Sequence, residues 1–192
     1  MTRNAIRGGR EGGFSLLELL LTILVIGIVS GFAIYSFNNV LPTLRSDSAL
    51  QFLVAQLRQT RQSALDQRRN FTVNFLGTNE LRVERNELCA TPPCTVSLVA
   101  DYFLPYNMTY MLFPSLPDTP DGFGTAQAVG FNGSATTIIF QGDGTVVDAS
   151  GLFANGTVFI GRAGNSATAR AVTIMGATGR VRGYRFDGTA FH

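Results

Sequence analysis

The sequence is poor in the side chains that perform most enzyme chemistry. Among 192 residues it has one histidine, His192 at the end of the chain, two cysteines and no lysine, and only 15% of the residues are charged. A single histidine excludes histidine-based catalytic triads, and with two cysteines it does not supply the four ligands of a zinc site at the usual spacing. Phosphate-loop, dinucleotide-binding and nucleophile-elbow motifs are also missing. We therefore predict a protein that is not an enzyme, with no catalytic residues, no metal and no cofactor.

What the sequence does have is one long apolar run near its start. From Phe14 to Phe37 there are 24 residues, and Glu18 is the only charged one. A membrane-spanning helix needs about 20 apolar residues, so we predict a span over about 14–37. No comparable run follows, which predicts attachment to a membrane at one end.

Glu18 is costly in such a segment, because a carboxylate inside a membrane helix costs on the order of 2.5–3.5 kcal/mol. Two interpretations follow from the residues alone. Either the carboxylate has a function, or it sits at the level of the lipid headgroups, where the cost is small. In the first turn of a helix its charge also gains from the positive end of the helix dipole.

The residues around this glutamate resemble the class III signal of type IV pilins and pseudopilins. A leader with three arginines is followed by Gly13 and the sequence FSLLE, and the apolar run comes directly after. The resemblance implies that a prepilin peptidase removes residues 1–13 by cutting between Gly13 and Phe14, and that the new N-terminus is methylated. It also implies that Glu18, then the fifth residue, docks against the amine of Phe14 in the same chain or in the next subunit.

The leader also predicts orientation. Positive residues next to a span stay in the cytoplasm, so we expect the rest of the chain on the periplasmic side of a bacterial inner membrane. Later it would be part of a periplasmic or extracellular filament. The resemblance implies other pilins or pseudopilins, the prepilin peptidase, the inner-membrane assembly platform and the membrane itself as partners.

The leader holds three of the fifteen arginines and one of the thirteen acids, so the mature chain has twelve of each. Overall charge therefore gives no argument for a nucleic-acid partner.

Helical character continues beyond the membrane segment. Leu50, Leu53, Leu57 and Ala64 fall on one stripe of helical period, so we predict one helix over about 14–68. Pro42 predicts a kink or a weak point in it. The stripe predicts that this part of the helix packs on the domain that follows.

After residue 70 the apolar period changes to two, which indicates strands. We predict a hairpin of 71–77 and 80–88, further strands at 95–104, 136–141, 145–147, 157–162, 169–176 and 180–186, and a loop at 114–125 with three prolines. A helix followed only by strands is an α+β pattern. The predicted fold is type IV pilin-like: a long N-terminal helix, membrane-spanning in its first half, and an antiparallel β-rich head at 69–192.

Two local features could be functional sites, but each also has a purely structural interpretation. Cys89 and Cys94 enclose a short loop, and an oxidising compartment would favour a disulfide between them over two free thiols. Asp143 and Asp148 could suggest calcium, but their spacing departs from that of an EF-hand, so we predict a β-turn with solvated acids. We interpret the acids of the proline-rich loop, Asp118 and Asp121, as equally solvated.

The sequence Gly179-Arg180-Val181-Arg182 is the one candidate for ligand contact. In a strand, Arg180 and Arg182 lie on one face about 7 Å apart while Val181 faces the core, and Gly179 suits a turn with positive φ. Such arginines each bind phosphate well. The alternative is two solvated arginines that pair with Asp187 or other nearby acids.

The closing stretch VTIMGATGRVRGYRF resembles the end of the GspH/FimT family, the H-type minor pseudopilins and their type IV pilus relatives. Members of that family that mediate DNA uptake carry a Gly-Arg-x-Arg motif that contacts DNA, and Gly179, Arg180 and Arg182 match it. The resemblance implies a minor subunit that acts structurally in type II secretion or in type IV pilus assembly. The alternative is a minor pilin that binds DNA during natural transformation.

Overall fold

The computed structural model describes Gly13, residues 15–87, 95–132 and 135–192, except for the side chains at 35, 36, 38 and 39. Its helix α1 covers Leu16–Gln67 and contains Pro42. The part from Leu16 to Ile34 is long and apolar enough to cross a membrane, and none of it is buried. This agrees with the predicted span.

The chain divides into two compact units, Met1–Val40 and Leu41–His192. The second unit contains the end of α1 together with all the strands. The predicted stripe explains this division, because Leu50, Leu53 and Leu57 are buried in the same core as the strands. The predicted head boundary at residue 69 marks the change from helix to strand, whereas the compact unit starts at Leu41.

Ten strands follow the helix in the described residues. They are β1 (Phe71–Leu76), β2 (Glu80–Asn86), β3 (Val96–Phe103), β4 (Thr109–Tyr110), β5 (Val129–Phe131), β6 (Thr137–Phe140), β7 (Val146–Val147), β8 (Gly156–Arg162), β9 (Asn165–Met175) and β10 (Arg180–Arg185). The first sheet has the order β3-β2-β1-β6-β7, and the second has the order β10-β9-β8-β4, with β5 also paired to β8. Every pairing is antiparallel, which confirms the predicted α+β class.

The predicted hairpin is present as β1 and β2, in a register that pairs Val73 with Val83. Strands β4 and β5 were not predicted, since two or three residues are too short to show a period-2 pattern. Both are strands because β8 supplies their partners, Ile160 and Gly161 for β4 and residues 156–158 for β5.

The second sheet is covered on both faces. Its inner side chains, such as Val158, Val172 and Ile174, join the main core with α1. Its outer side chains form a separate apolar cluster that includes residues of the proline-rich loop and of the C-terminal tail. The members are Phe159, Ala171, Tyr184, Phe191, Leu112, Leu116 and Phe186. The loop and the tail therefore lie over the outer face of this sheet.

Candidate functional site

The Gly-Arg-Val-Arg segment lies at the turn between β9 and β10 and at the start of β10. Val181 is buried and packs in the main core, while the side chains of Arg180 and Arg182 are 38% and 49% exposed. Side chains alternate along a strand, so the two arginines share the outer face of β10, which is an edge strand of the second sheet. The predicted geometry of the pair is therefore present.

The two arginines share one partner, the carboxylate of Asp121. Arg180 Nη2 lies 3.1 Å from Asp121 Oδ1, and Arg182 Nη1 lies 3.3 Å from the same oxygen. The Asp121 side chain is only 9% exposed. The prediction that Asp121 is a solvated acid is therefore wrong, because the proline-rich loop brings it over the outer face of β10.

Two hydroxyl groups complete the contacts of this carboxylate. Thr173 Oγ1 donates to Asp121 Oδ2 at 2.5 Å, and Tyr184 Oη donates to the same atom at 2.9 Å. Arg182 Nη1 also lies 3.5 Å from Tyr184 Oη. Thr173 is the cross-strand partner of Arg182, and Tyr184 lies two residues further along β10, so one sheet face carries all four donors.

These contacts keep the aspartate ionised. Burial by itself would raise the pKa of Asp121, but the hydrogen bonds from Thr173 and Tyr184, together with the charges of Arg180 and Arg182, lower the pKa below its usual range. The hydrogen bond with Tyr184 and the charge of Asp121 raise the pKa of Arg182 despite some desolvation. At neutral pH the cluster therefore carries two positive charges and one negative charge.

Gly179 holds the turn in front of the arginines, as predicted, with a positive φ of 61°. A β-carbon at this position would collide with the carbonyl oxygen of Gly144 and lie 2.6 Å from Arg61 Nε. The guanidinium of Arg61 donates from Nε to Gly144 O at 3.1 Å and from Nη2 to Thr178 O at 3.0 Å. Glycine is thus required here by the packing of two turns against the helix.

The helix supplies a second arginine next to this segment. Arg58 Nη2 donates to the carbonyl oxygen of Val181 at 3.0 Å. The sequence places Arg58 and Arg61 on a polar helix face and says nothing about their partners. Their acceptors are backbone carbonyl groups more than eighty residues away, which leave no pattern in the side-chain sequence.

The other aspartates singled out in the C-terminal part of the sequence belong to turns or to the tail. Asp143 accepts hydrogen bonds from Thr145, and Asp148 accepts from the backbone of Ser150 and Leu152. Asp187 bonds to Thr189, Ala190 and His192, so it is not the partner of the arginine pair. In the part of the chain that the structure describes, no three His, Cys, Asp or Glu residues are grouped as a metal site would need.

The N-terminal site residues are described in part. Glu18 lies in the first turn of α1, where its backbone N–H donates to Ser15 O at 3.0 Å, and its side chain is exposed. Gly13 has open space around it. Phe14, Cys89 and Cys94 lie outside the described residues, so the predicted cut before Phe14 and the cysteine pairing stay predictions.

Comparison with known proteins gives one motif and one type of structure. Residues 9–34 match the prokaryotic N-terminal methylation motif. Two crystal forms of the type IV minor pilin FimU from Pseudomonas aeruginosa, strain PAO1, are similar to this chain. The first, in space group P21, has a TM-score of 0.46 at 18% identity and covers 71% of this chain and 85% of its own. The second, in space group P65, has a TM-score of 0.44 at 16% identity and covers 71% and 90%. No curated protein matches the chain.

The methylation motif spans both the predicted cleavage site and the start of the apolar helix. It thereby confirms the predicted prepilin-type signal. The chain therefore has a prepilin-type methylation motif that continues into an apolar helix, and antiparallel β-sheets follow that helix.

Proposed function

We propose that this chain is a minor subunit of a type IV-like filament that is assembled from the bacterial inner membrane, in type II secretion or in a type IV pilus. The observation that carries the proposal is the methylation motif over residues 9–34, joined to an apolar helix with Glu18 in its first turn. The apolar stretch Leu16–Ile34 anchors the chain in the membrane. The leader stays in the cytoplasm, and the unit that contains the sheets lies in the periplasm.

The proposed mechanism is mechanical and begins with processing. The peptidase cuts between Gly13 and Phe14 and leaves a charged amine on Phe14, four residues before Glu18. Residues at this spacing share one face of a helix. In a filament, where helices pack together away from water, the carboxylate of Glu18 pairs with such an amine and sets the register between neighbouring subunits.

Replacement of Glu18 by alanine is expected to leave membrane insertion intact but to reduce the amount of this chain in sheared filaments at least about tenfold. Insertion is preserved because removal of a charge makes the helix more apolar. Incorporation falls because an amine buried without its partner is destabilising by more than the 1.4 kcal/mol that corresponds to tenfold. Quantitative immunoblots of membrane and filament fractions give both values, and intact mass gives the start of the mature chain.

Thr22→Val is the matched control, since Thr22 lies one turn further along the helix and its hydroxyl bonds to the helix itself, at Leu19 O. We expect this variant to enter filaments normally. Normal incorporation of Glu18→Ala would exclude the docking role. A mature chain that starts elsewhere than Phe14 would exclude the proposed processing.

We propose DNA binding by Arg180 and Arg182 as a second candidate function. It is favoured by two arginines on one strand face whose side chains are 38% and 49% exposed, each with N–H groups that Asp121 does not use. Contacts of this kind hold phosphate groups, carry no base specificity and weaken with salt. With one acid in the cluster, the expected affinity of one subunit is low.

The double variant Arg180→Gln/Arg182→Gln is expected to weaken binding to a duplex oligonucleotide at least about fivefold at low salt. Its plot of log affinity against log salt should be shallower by roughly 1.8, because each lost phosphate contact on a duplex removes about 0.9 from the slope. The measurement is fluorescence anisotropy with the full chain in a non-ionic detergent.

Arg82→Gln/Arg85→Gln is the matched control for this test. Both of its arginines lie on β2, are 37% exposed and form ion pairs with acids, so the change in net charge and in surface is the same. We expect this control to bind within about twofold of the unmodified chain, as surface ion pairs contribute little. Equal losses in the two double variants would show a general charge effect and end the assignment to Arg180 and Arg182.

A further inference from the structure

The cluster on β10 has the composition of an oxyanion site that is already filled. Four side chains point donors at one carboxylate: Arg180, Arg182, Thr173 and Tyr184. Two come to Oδ1 and two to Oδ2, so each oxygen of Asp121 accepts two bonds. The carboxylate of Asp121 therefore occupies the place that a bound anion would take among these four donors.

We propose that Asp121 is an internal counter-ion of this site, and that a phosphate group of a polyanion binds by replacing its carboxylate on Arg180, Arg182, Thr173 and Tyr184. The proposal rests on the second candidate function, and it adds two hydroxyl donors and a competing residue to the arginine pair. It makes the proline-rich loop an inhibitory element that lowers the affinity of the site.

The chemistry of the four donors suits phosphate. A phosphodiester presents two unbridged oxygens with a shared negative charge, as a carboxylate does, and guanidinium groups fork onto either. Hydroxyl groups of Thr173 and Tyr184 donate to oxygen without adding charge. Nothing in the donor set selects a carboxylate over a phosphate.

The position of Asp121 suits a residue that leaves the site. It belongs to a segment that joins β4 to β5 and has no regular structure between them. The next residue, Gly122, closes a turn by donating to Thr119 O and has a φ of 71°, and Gly124 has a φ of 90°. Nothing lies within 4 Å of a β-carbon built on either glycine, and the hydrogen bonds of these two residues, to Thr119 O and to Asp118 Oδ2, stay within the loop itself.

The local charge determines whether removal of Asp121 strengthens or weakens the binding of a polyanion. The mature chain has as many acids as arginines, so the attraction for a polyanion depends on local charge. Asp121 reduces the local charge from two to one, and it lies 3.1–3.3 Å from both cations. Its removal without loss of shape should therefore strengthen binding.

Asp121→Asn is the direct test, because the amide keeps the size and one acceptor oxygen but removes the charge. With the full chain in non-ionic detergent, we expect it to bind a duplex oligonucleotide about threefold to fivefold more tightly than the unmodified chain at low salt. Asp121→Ser is smaller and also neutral, and it is expected to change the affinity in the same direction. It replaces Asp121→Asn in the test if that variant does not fold.

Two controls isolate the position of the charge. Asp66→Asn removes one negative charge at an exposed helix position where the carboxylate bonds to Gln62, and we expect affinity within about twofold of the original. Asp121→Glu keeps the charge in the loop, and we expect no gain. Weaker binding by Asp121→Asn would show that the carboxylate positions the arginines instead of competing, and would overturn the proposal.

A second probe separates this proposal from DNA binding. Inorganic pyrophosphate is titrated while the Nε–H resonances of Arg180 and Arg182 are followed by NMR, and Asp121→Asn should respond at a severalfold lower concentration than the unmodified chain. A response to pyrophosphate without duplex binding would refute the DNA function and support the counter-ion. Duplex binding that depends on Arg180 and Arg182 but is unchanged in Asp121→Asn would support the DNA function and refute the counter-ion. Identical pyrophosphate responses in both proteins would also refute it.

Discussion

Replacement of Gly179 by alanine is expected to destabilise the unit of residues 41–192 by about 2–4 kcal/mol. The positive φ of 61° costs an alanine about 1 kcal/mol. The collision of its β-carbon with Gly144 O and with Arg61 Nε adds about 1–3 kcal/mol, because a turn and a bonded guanidinium have to shift. Thermal unfolding of the full chain in detergent, followed by circular dichroism, should show a Tm lower by about 2–4 °C for each kcal/mol.

Gly77→Ala separates the two causes. Gly77 has a φ of 54° in the turn between β1 and β2, but nothing lies within 4 Å of its β-carbon position. We expect this variant to lose about 1 kcal/mol, the backbone term alone. An equal loss in both variants would contradict the close approach of the two turns. If packing requires glycine at position 179, this glycine is no evidence that the Gly-Arg-Val-Arg motif contacts a ligand.

Arg170→Met is expected to cost about 2–4 kcal/mol in the same measurement. The Arg170 side chain is fully buried, and its Nε donates to Asp47 Oδ1 at 2.6 Å. Its terminal nitrogens donate to the carbonyl oxygens of Ala167, Ala169 and Thr43. Burial lowers the pKa of this guanidinium, and the hydrogen bond and charge of Asp47 act against that change. Methionine fills similar space but removes the ion pair with Asp47 and the donor to the buried carbonyl oxygen of Ala169, which is the main cause of the loss.

Arg185→Met is the matched control, since Arg185 lies 3.6 Å from the same Asp47 but is exposed. We expect a loss of less than about 1 kcal/mol, as is typical of surface ion pairs. Equal losses would mean that the charge of Asp47, and not the burial of Arg170, determines the effect. A cycle with Asp47→Asn should show coupling to Arg170 and little coupling to Arg185.

Much of the fold follows from local patterns in the sequence. The stripe of Leu50, Leu53 and Leu57 predicted a helix that packs on the sheets, and the alternation around Val73 and Val83 predicted the first hairpin. The short strands β4 and β5 did not follow, because they depend on β8, which lies 25 to 52 residues further along the chain. The outer apolar cluster was equally hidden, since its members come from four separate segments.

The candidate site divides in the same way. The shared face of Arg180 and Arg182, the burial of Val181 and the positive φ of Gly179 are properties of one strand and one turn, so residue spacing predicts them. Asp121 lies about sixty residues before the arginines, in a loop whose composition suggests only solvent exposure. No spacing rule connects a proline-rich loop to a strand at that separation.

The sequence by itself determined the N-terminal motif: three arginines, Gly13, the apolar run and Glu18 lie within thirty-four residues, and a contiguous motif can be recognised without knowledge of the fold. Only the tertiary structure decided the electrostatic state of the arginine pair. Leu112 and Leu116 bury apolar surface against the second sheet, and the segment between β4 and β5 to which they belong carries Asp121 to within hydrogen-bond distance of Arg180 and Arg182. The reason is physical: attraction between charges acts through space, and distance in space is set by packing.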